Sequence, residues 1–118
     1  MRKAAEGAFA HGARTLSLLP VGRYDDAHPF TDLALRTGLT EPYRNVLLGS
    51  IADAAVILPG SHGTLQEAMV LLDADVPIVA VGDHFGWLTD DLPVPHDLDP
   101  AAAVGLLAEA LGLALPTP

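Results

Sequence analysis

A stretch near the middle of the chain combines an apolar run, a glycine turn and the start of a helix. Residues 57–67 read ILPGSHGTLQE, with a break at Pro59 and a helical pattern from about Thr64. Glycine lets a backbone approach a ligand closely, and the amides at a helix N-terminus attract phosphate without a basic side chain. We therefore predict binding of a small phosphate-bearing ligand by Gly60, Ser61, His62, Gly63 and Thr64.

The same residues also fit a purely structural role. Thr64-x-x-Glu67 matches a capping box, in which Thr64 would be the N-cap and Glu67 would reach back to its backbone N–H. A glutamate engaged in this way is less available to a ligand. Both interpretations are open at the level of the sequence.

The pattern of strands and helices around this turn indicates an α/β layer fold with a mostly parallel sheet. Apolar or alternating runs predict strands at residues 15–19, 32–37, 54–58 and 77–81. Helical spacing predicts helices at residues 3–11, 41–52, 64–73 and 100–111. The last helix has Asp99 as its N-cap and Pro100 at its first position, whereas residues 83–98 are predicted to be irregular. In such folds ligands bind beyond the carboxyl ends of the strands, where the glycine turn is expected.

Length and composition limit the classes of protein that this chain can belong to. The 118 residues predict one domain over residues 1–112 and a disordered tail over 113–118. The absence of cysteine excludes disulfides and thiolate metal sites. No apolar run is long enough to span a bilayer, so we expect a cytoplasmic protein that does not bind membranes.

The charge of the chain is strongly asymmetric. The net charge is −9, yet residues 1–44 hold all six basic residues against five acidic ones, a net charge of +1. Residues 45–118 carry ten acidic residues and no lysine or arginine. This charge argues against nucleic acid as a partner. An anionic ligand would have to be held by backbone amides or by one of the few arginines, such as Arg44 at the border.

No residue pattern predicts a metal or another cofactor. His84, His96, Asp97 and Asp99 lie close in sequence but match no recognised ligand spacing. The only lysine is Lys3, which leaves no good candidate for a Schiff base with pyridoxal phosphate.

The residues from Arg44 to Glu67 resemble the Lonely Guy and molybdenum-cofactor-carrier superfamily. The similarity rests on Arg44-Asn45, on Ala52-Asp53-Ala54, and on Pro59-Gly60-x-x-Gly63-Thr64-x-x-Glu67. The signature of that superfamily is proline-glycine-glycine-x-glycine-threonine-x-x-glutamate, so Ser61 stands where it has its second glycine. Asn45 stands where Lonely Guy enzymes typically have lysine.

This resemblance implies a Rossmann-like fold and a set of functions. Lonely Guy enzymes hydrolyse the N-glycosidic bond of cytokinin riboside 5′-monophosphates, and relatives bind nucleotides or molybdenum cofactor. Gly60, Gly63 and Thr64 would cradle the phosphate, Glu67 would face the ribose, and Arg44 would contact phosphate or assist cleavage. The leading hypothesis is binding of a nucleotide-like or pterin ligand. The alternatives are a nucleoside 5′-monophosphate phosphoribohydrolase with Arg44 and Glu67 as catalytic residues, and a truncated, non-catalytic interaction module.

The resemblance also bears on whether the fold is shortened at its N-terminus and on the oligomeric state of the chain. Relatives have a strand, a helix and a second strand before the helix at residues 3–11, so we expect an N-terminally shortened fold. Residues 15–19 and 54–58 would then pair directly, take strands from a partner, or belong to a longer protein. Because half of the residues are hydrophobic, we predict a homodimer built on a helix face within residues 43–51 or 65–72.

Overall fold

The computed structural model describes residues 2–60, 62–82 and 94–113. The predictions made for Ser61, for the segment 83–93 and for most of the tail lie outside these residues. Contacts divide the chain into two compact units, Met1–Leu47 and Leu48–Pro118. The expectation of a single domain over residues 1–112 stays a prediction.

The first unit is built around two parallel strands. Helix α1 (Arg2–Ala10) precedes β1 (Leu16–Leu19), and a single turn of 3-10 helix (Tyr24–Asp26) leads to β2 (Leu33–Arg36). The strands pair in parallel, with Leu16 beside Leu33 and Leu19 beside Arg36. Helix α2 (Glu41–Ile51) follows β2 and continues into the second unit.

The second unit is a three-stranded parallel sheet, with one helix between its first two strands and another after its last strand. Its elements are, in order, β3 (Ala55–Ile57), α3 (His62–Asp73), β4 (Ile78–Val81), β5 (His96–Asp97) and α4 (Pro100–Ala110). Strand β4 lies between β3 and β5, and both pairings are parallel.

Strand β4 is the centre of the core because all four of its residues are buried. Alternate side chains of a strand point to opposite faces of the sheet. Ile78 and Ala80 belong to a cluster with Ala68 and Leu71 of α3, whereas Val79 and Val81 pack in a separate cluster with Ala103 of α4. The two helices therefore cover opposite faces, which explains why β4 reads as an unbroken apolar run.

The structure confirms the α/β class with parallel strands and places most elements within two residues of their predicted bounds. Three local expectations were wrong. The two-residue strand β5 lies in a segment predicted to be irregular. The continuous apolar run at residues 54–58 predicts a strand covered on both faces, but Val56 of β3 is 40% exposed. Helix α3 begins at His62 instead of Thr64.

Within residues 2–60, 62–82 and 94–113, no helix has both the length and the apolar character needed to cross a bilayer.

Candidate functional site

The turn after β3 packs against the residue that follows β4. Strand β3 ends at Ile57, and the chain continues through Leu58 and Pro59 to Gly60. Gly82, directly after β4, has a φ of +82°, and a Cβ added there would lie 2.8 Å from Cγ of Pro59. Both segments therefore lie at the carboxyl ends of neighbouring parallel strands, the edge where α/β sheets bind ligands.

Gly60 is held against the first turn of α3 by the side chain of Thr64. A Cβ added to Gly60 would overlap Oγ1 of Thr64 and would lie 2.8 Å from its Cβ. Only glycine fits this position without a shift of the turn or of the threonine. The glycine that the sequence singled out therefore has a steric reason to be there.

The first turn of α3 does not match the capping box expected from the sequence. Because α3 begins at His62, Thr64 is the third residue of the helix and cannot be its N-cap. Its side chain instead lies half-buried against Gly60. The assignment of Thr64 as N-cap is wrong because two residues of the predicted turn, His62 and Gly63, have helical conformation.

The first turn of α3 is uncrowded at Gly63 and lacks acidic side chains. No acidic residue occurs in it. His62 and Gly63 are exposed, and nothing lies within 4 Å of the position that a Gly63 Cβ would occupy. The positive end of the helix dipole thus coincides with an uncrowded surface.

Glu67 lies on α3, three residues after Thr64, and is half-buried. Side chains three residues apart share one face of a helix, so Glu67 follows Thr64 along the same side of α3. The ligand-facing role that the resemblance implies for Glu67 stays a prediction.

Arg44 lies in the first unit, where its guanidinium donates hydrogen bonds to Asn45 and to the backbone of β1. Its Nε donates to Oδ1 of Asn45 at 3.0 Å, and its Nη1 donates to the backbone carbonyl of Leu18 at 2.9 Å. Asn45 is 5% exposed, and it is the buried polar side chain of the described residues. Arg44 therefore connects α2 with the end of β1.

The carbonyl that Arg44 contacts lies on the edge of β1 that faces away from β2. The carbonyls of Thr15 and Leu19 accept hydrogen bonds from the segment containing β2. Because backbone carbonyls alternate between the two edges of a strand, that of Leu18 points the opposite way. Arg44 thus donates a hydrogen bond to the edge of β1 that does not pair with β2.

A small cavity lies at the carboxyl end of β1. It has a volume of about 270 Å³ and is lined by Leu19, Pro20, Arg23, Asp26, Glu41 and Arg44. Arg23 is paired with Asp26 at 3.3 Å and with Glu41 at 3.6 Å. The sequence interpretation did not select Arg23, Asp26 or Glu41, although the rule that ligands bind beyond strand ends points to the loop that begins at Pro20.

The structure thus brings Gly60 and Thr64 into contact and places His62, Gly63 and Glu67 on the helix that follows. Arg44 is described within its own unit, and Ser61 lies outside the described residues. Among the residues that the structure describes, no group of three or more His, Asp or Glu side chains could hold a metal ion.

The parallel strands, with a glycine turn entering a helix after β3, define the class of Rossmann-like α/β proteins. A solved structure, the X-ray structure of TM1055, a structural genomics target, shares this fold with a TM-score of 0.75. The two sequences are 20% identical, and the match covers 89% of this chain and 69% of that chain. No curated protein matches the chain significantly.

A family model narrows the class further. The model described as the SLOG cluster4 family matches residues 1–103. The chain therefore belongs to the SLOG cluster4 family, within the Lonely Guy-like superfamily that the residues from Arg44 to Glu67 indicated.

Proposed function

We propose that this protein binds a small phosphate-bearing ligand, nucleotide-like or pterin, at the turn of residues 60–64. The observation that carries the proposal is the packing of Thr64 on Gly60, which brings the turn after β3 against the first turn of α3. Membership of the Lonely Guy-like superfamily supports the same ligand class.

The physical basis of the proposed binding is the N-terminus of α3. A helix N-terminus carries roughly half a positive charge and exposes backbone N–H groups that have no intrahelical acceptor. Here that end is free of acidic side chains and carries the exposed residue Gly63. A phosphate can therefore be bound in a part of the chain that contains no lysine or arginine.

The test is calorimetric titration with inorganic phosphate and with adenosine 5′-monophosphate, using wild type and Gly63→Glu. A carboxylate in the first turn of a helix favours the helix but repels an anion, so the two effects have opposite signs. We expect Gly63→Glu to keep or raise the melting temperature and to weaken binding by at least about tenfold.

The matched control is Gly105→Ala in α4, another helical glycine with nothing within 4 Å of its added Cβ. It should raise the melting temperature and leave binding unchanged. No binding of either ligand to wild type, or equal affinity for wild type and Gly63→Glu, would refute the proposed site.

Hydrolysis of a nucleoside 5′-monophosphate is the second candidate function. The favouring observations are the fixed guanidinium of Arg44 and the half-buried Glu67 on the face of α3 that carries Thr64. Cleavage of an N-ribosyl bond develops positive charge on the sugar, and a carboxylate such as Glu67 either stabilises this charge or activates the attacking water.

Release of free base from adenosine 5′-monophosphate and its isopentenyl analogue, followed by chromatography, tests this candidate. We expect release by wild type and its loss in Glu67→Gln and Arg44→Gln, with phosphate binding kept in Glu67→Gln. If wild type binds the nucleotide at high protein concentration and releases no base, the protein is a binding protein and the catalytic candidate is excluded.

A further inference from the structure

We propose that the outer edge of β2 is a self-complementary interface, on which β2 of a second copy of this chain pairs in antiparallel orientation. The segment concerned runs from Asp32 to Arg36. It differs from the helix faces that the composition indicated as a dimer surface.

The first observation is the exposure of β2. All four of its residues are exposed, including Leu33 at 59% and Leu35 at 42%. Leu16, which lies beside Leu33 in the pairing with β1, is 51% exposed. Strands of parallel sheets are normally covered on both faces, whereas β2 leaves its leucines exposed. An exposed apolar strand at the edge of a sheet tends to pair with another strand.

The second observation is the direction of the backbone groups. The N–H groups of Leu33 and Thr37 donate to the carbonyls of Thr15 and Leu19. Because these groups alternate along a strand, those of Ala34 and Arg36 point away from β1. The edge that a second strand would use therefore runs through Ala34.

The third observation is charge complementarity in one register. With Ala34 facing Ala34 of the second copy across a two-fold axis, Leu33 faces Leu35, and Asp32 faces Arg36. Residues opposite each other in this register lie on the same face of the sheet, as antiparallel pairing requires. The Ala34 pair is also of the hydrogen-bonded type, because its backbone groups point outward.

The two charged ends of the segment are already fixed in the single chain. Oδ2 of Asp32 accepts hydrogen bonds from N of Thr15 at 2.6 Å and from its Oγ1 at 3.2 Å. The guanidinium of Arg36 lies over the ring of Tyr24, 5.4 Å from its centroid. Each charge is thus held at its own end of β2, and in the two-fold register a second copy presents the opposite charge to each of them.

Single cysteine variants test the register directly, because the chain contains no cysteine. Facing residues of a hydrogen-bonded antiparallel pair have Cα atoms about 5.5 Å apart, within the range that a disulfide spans. We expect Ala34→Cys to form a covalent dimer on mild oxidation. Tyr43→Cys, on the exposed face of α2, should do so at least about tenfold more slowly.

Charge reversal tests the ion pairs. In light scattering at micromolar concentration wild type should have the mass of a dimer, and Arg36→Glu should shift the protein to a monomer. Arg14→Glu, with the same change of charge at an exposed site, should remain a dimer. The melting temperature and circular dichroism of Arg36→Glu confirm that it is folded.

Three results would overturn the proposal. These are a monomeric mass for wild type, a dimer that survives Arg36→Glu, and faster cross-linking at Tyr43→Cys than at Ala34→Cys. The last result would assign the interface to the face of α2 instead.

Discussion

Asn45 and Arg44 are joined by a side-chain hydrogen bond that orients both of them. Asn45 is buried, and its Oδ1 accepts the Nε–H of Arg44 at 3.0 Å. A hydrogen bond to a charged group contributes more than one between neutral groups. The structural role of Asn45 is therefore to fix the guanidinium that also contacts the carbonyl of Leu18.

We predict that Asn45→Ala and Arg44→Ala are strongly coupled. Either change removes the same hydrogen bond, so the loss of unfolding free energy in the double variant should be smaller than the sum by about 1–3 kcal/mol. Urea unfolding of the four proteins measures this coupling. Additive losses would mean that Asn45 does not hold Arg44 in solution.

Gly60 and Gly63 provide a second prediction, because two glycines three residues apart have opposite surroundings. A Cβ at Gly60 overlaps Thr64, whereas a Cβ at Gly63 meets nothing within 4 Å. Gly60→Ala should lower the unfolding free energy by roughly 1–3 kcal/mol through overpacking. Gly63→Ala should raise it by up to about 1 kcal/mol, because alanine favours a helix. Thermal or urea unfolding compares the two variants, and equal effects would contradict the packing of Thr64 on Gly60.

At the scale of elements, helix α4 shows how far sequence signals alone can determine a boundary. Asp99 was predicted as its N-cap, and its Oδ2 accepts the backbone N–H of Ala102 at 3.0 Å. Pro100 occupies the start of the helix. Both signals act within a few residues of each other, so no distant contact is needed to place this end.

We predict that Asp99→Ala lowers the unfolding free energy by about 1 kcal/mol because the N–H of Ala102 loses its acceptor. Asp99→Asn should retain most of the stability, since asparagine caps equally well. Glu109→Ala, which removes one negative charge at the other end of α4, is the control for the change of charge. A loss in Glu109→Ala as large as that in Asp99→Ala would assign the effect to charge and not to the cap.

Other elements depend on contacts that the sequence does not display. Strand β5 has only two residues, His96 and Asp97, and exists because β4 offers it a free edge to pair with. The start of α3 is predicted at about Thr64 because residues 60–63 read as a glycine turn, yet the structure includes His62 and Gly63 in its first turn. The apolar run of β4, in contrast, was predictable because burial on both faces leaves a continuous signal in the sequence.

The candidate site was predictable to a similar degree. The glycine turn, Thr64 and Arg44 follow from the motif, because they are defined by residue type and spacing. The positions of Arg23 and Glu41 beside the cavity at the end of β1 depend on how a loop folds back, which no local pattern specifies. The steric contact of Thr64 with Gly60 depends on the conformation of the turn, which residue type and spacing do not specify.

At the scale of the whole molecule, the charge distribution constrains how an anion can bind. The net charge is −9, and no basic residue follows Arg44 in the chain. An anionic ligand that approaches the turn of residues 60–64 is therefore repelled at long range, while the amides of α3 attract it at short range.

These two forces have different ranges, so salt should separate them. The Debye length falls from about 20 Å to about 8 Å when NaCl is raised from about 20 to about 150 mM. This screening removes the long-range repulsion and leaves the contacts with the amides nearly unchanged. We predict that the affinity for adenosine 5′-monophosphate stays constant or increases over this range, as measured by calorimetry at constant pH. A site dominated by arginine would behave in the opposite way, and Arg44→Gln provides the comparison. If the affinity falls about tenfold in wild type and becomes insensitive to salt in Arg44→Gln, the phosphate is held chiefly by Arg44 and not by the turn.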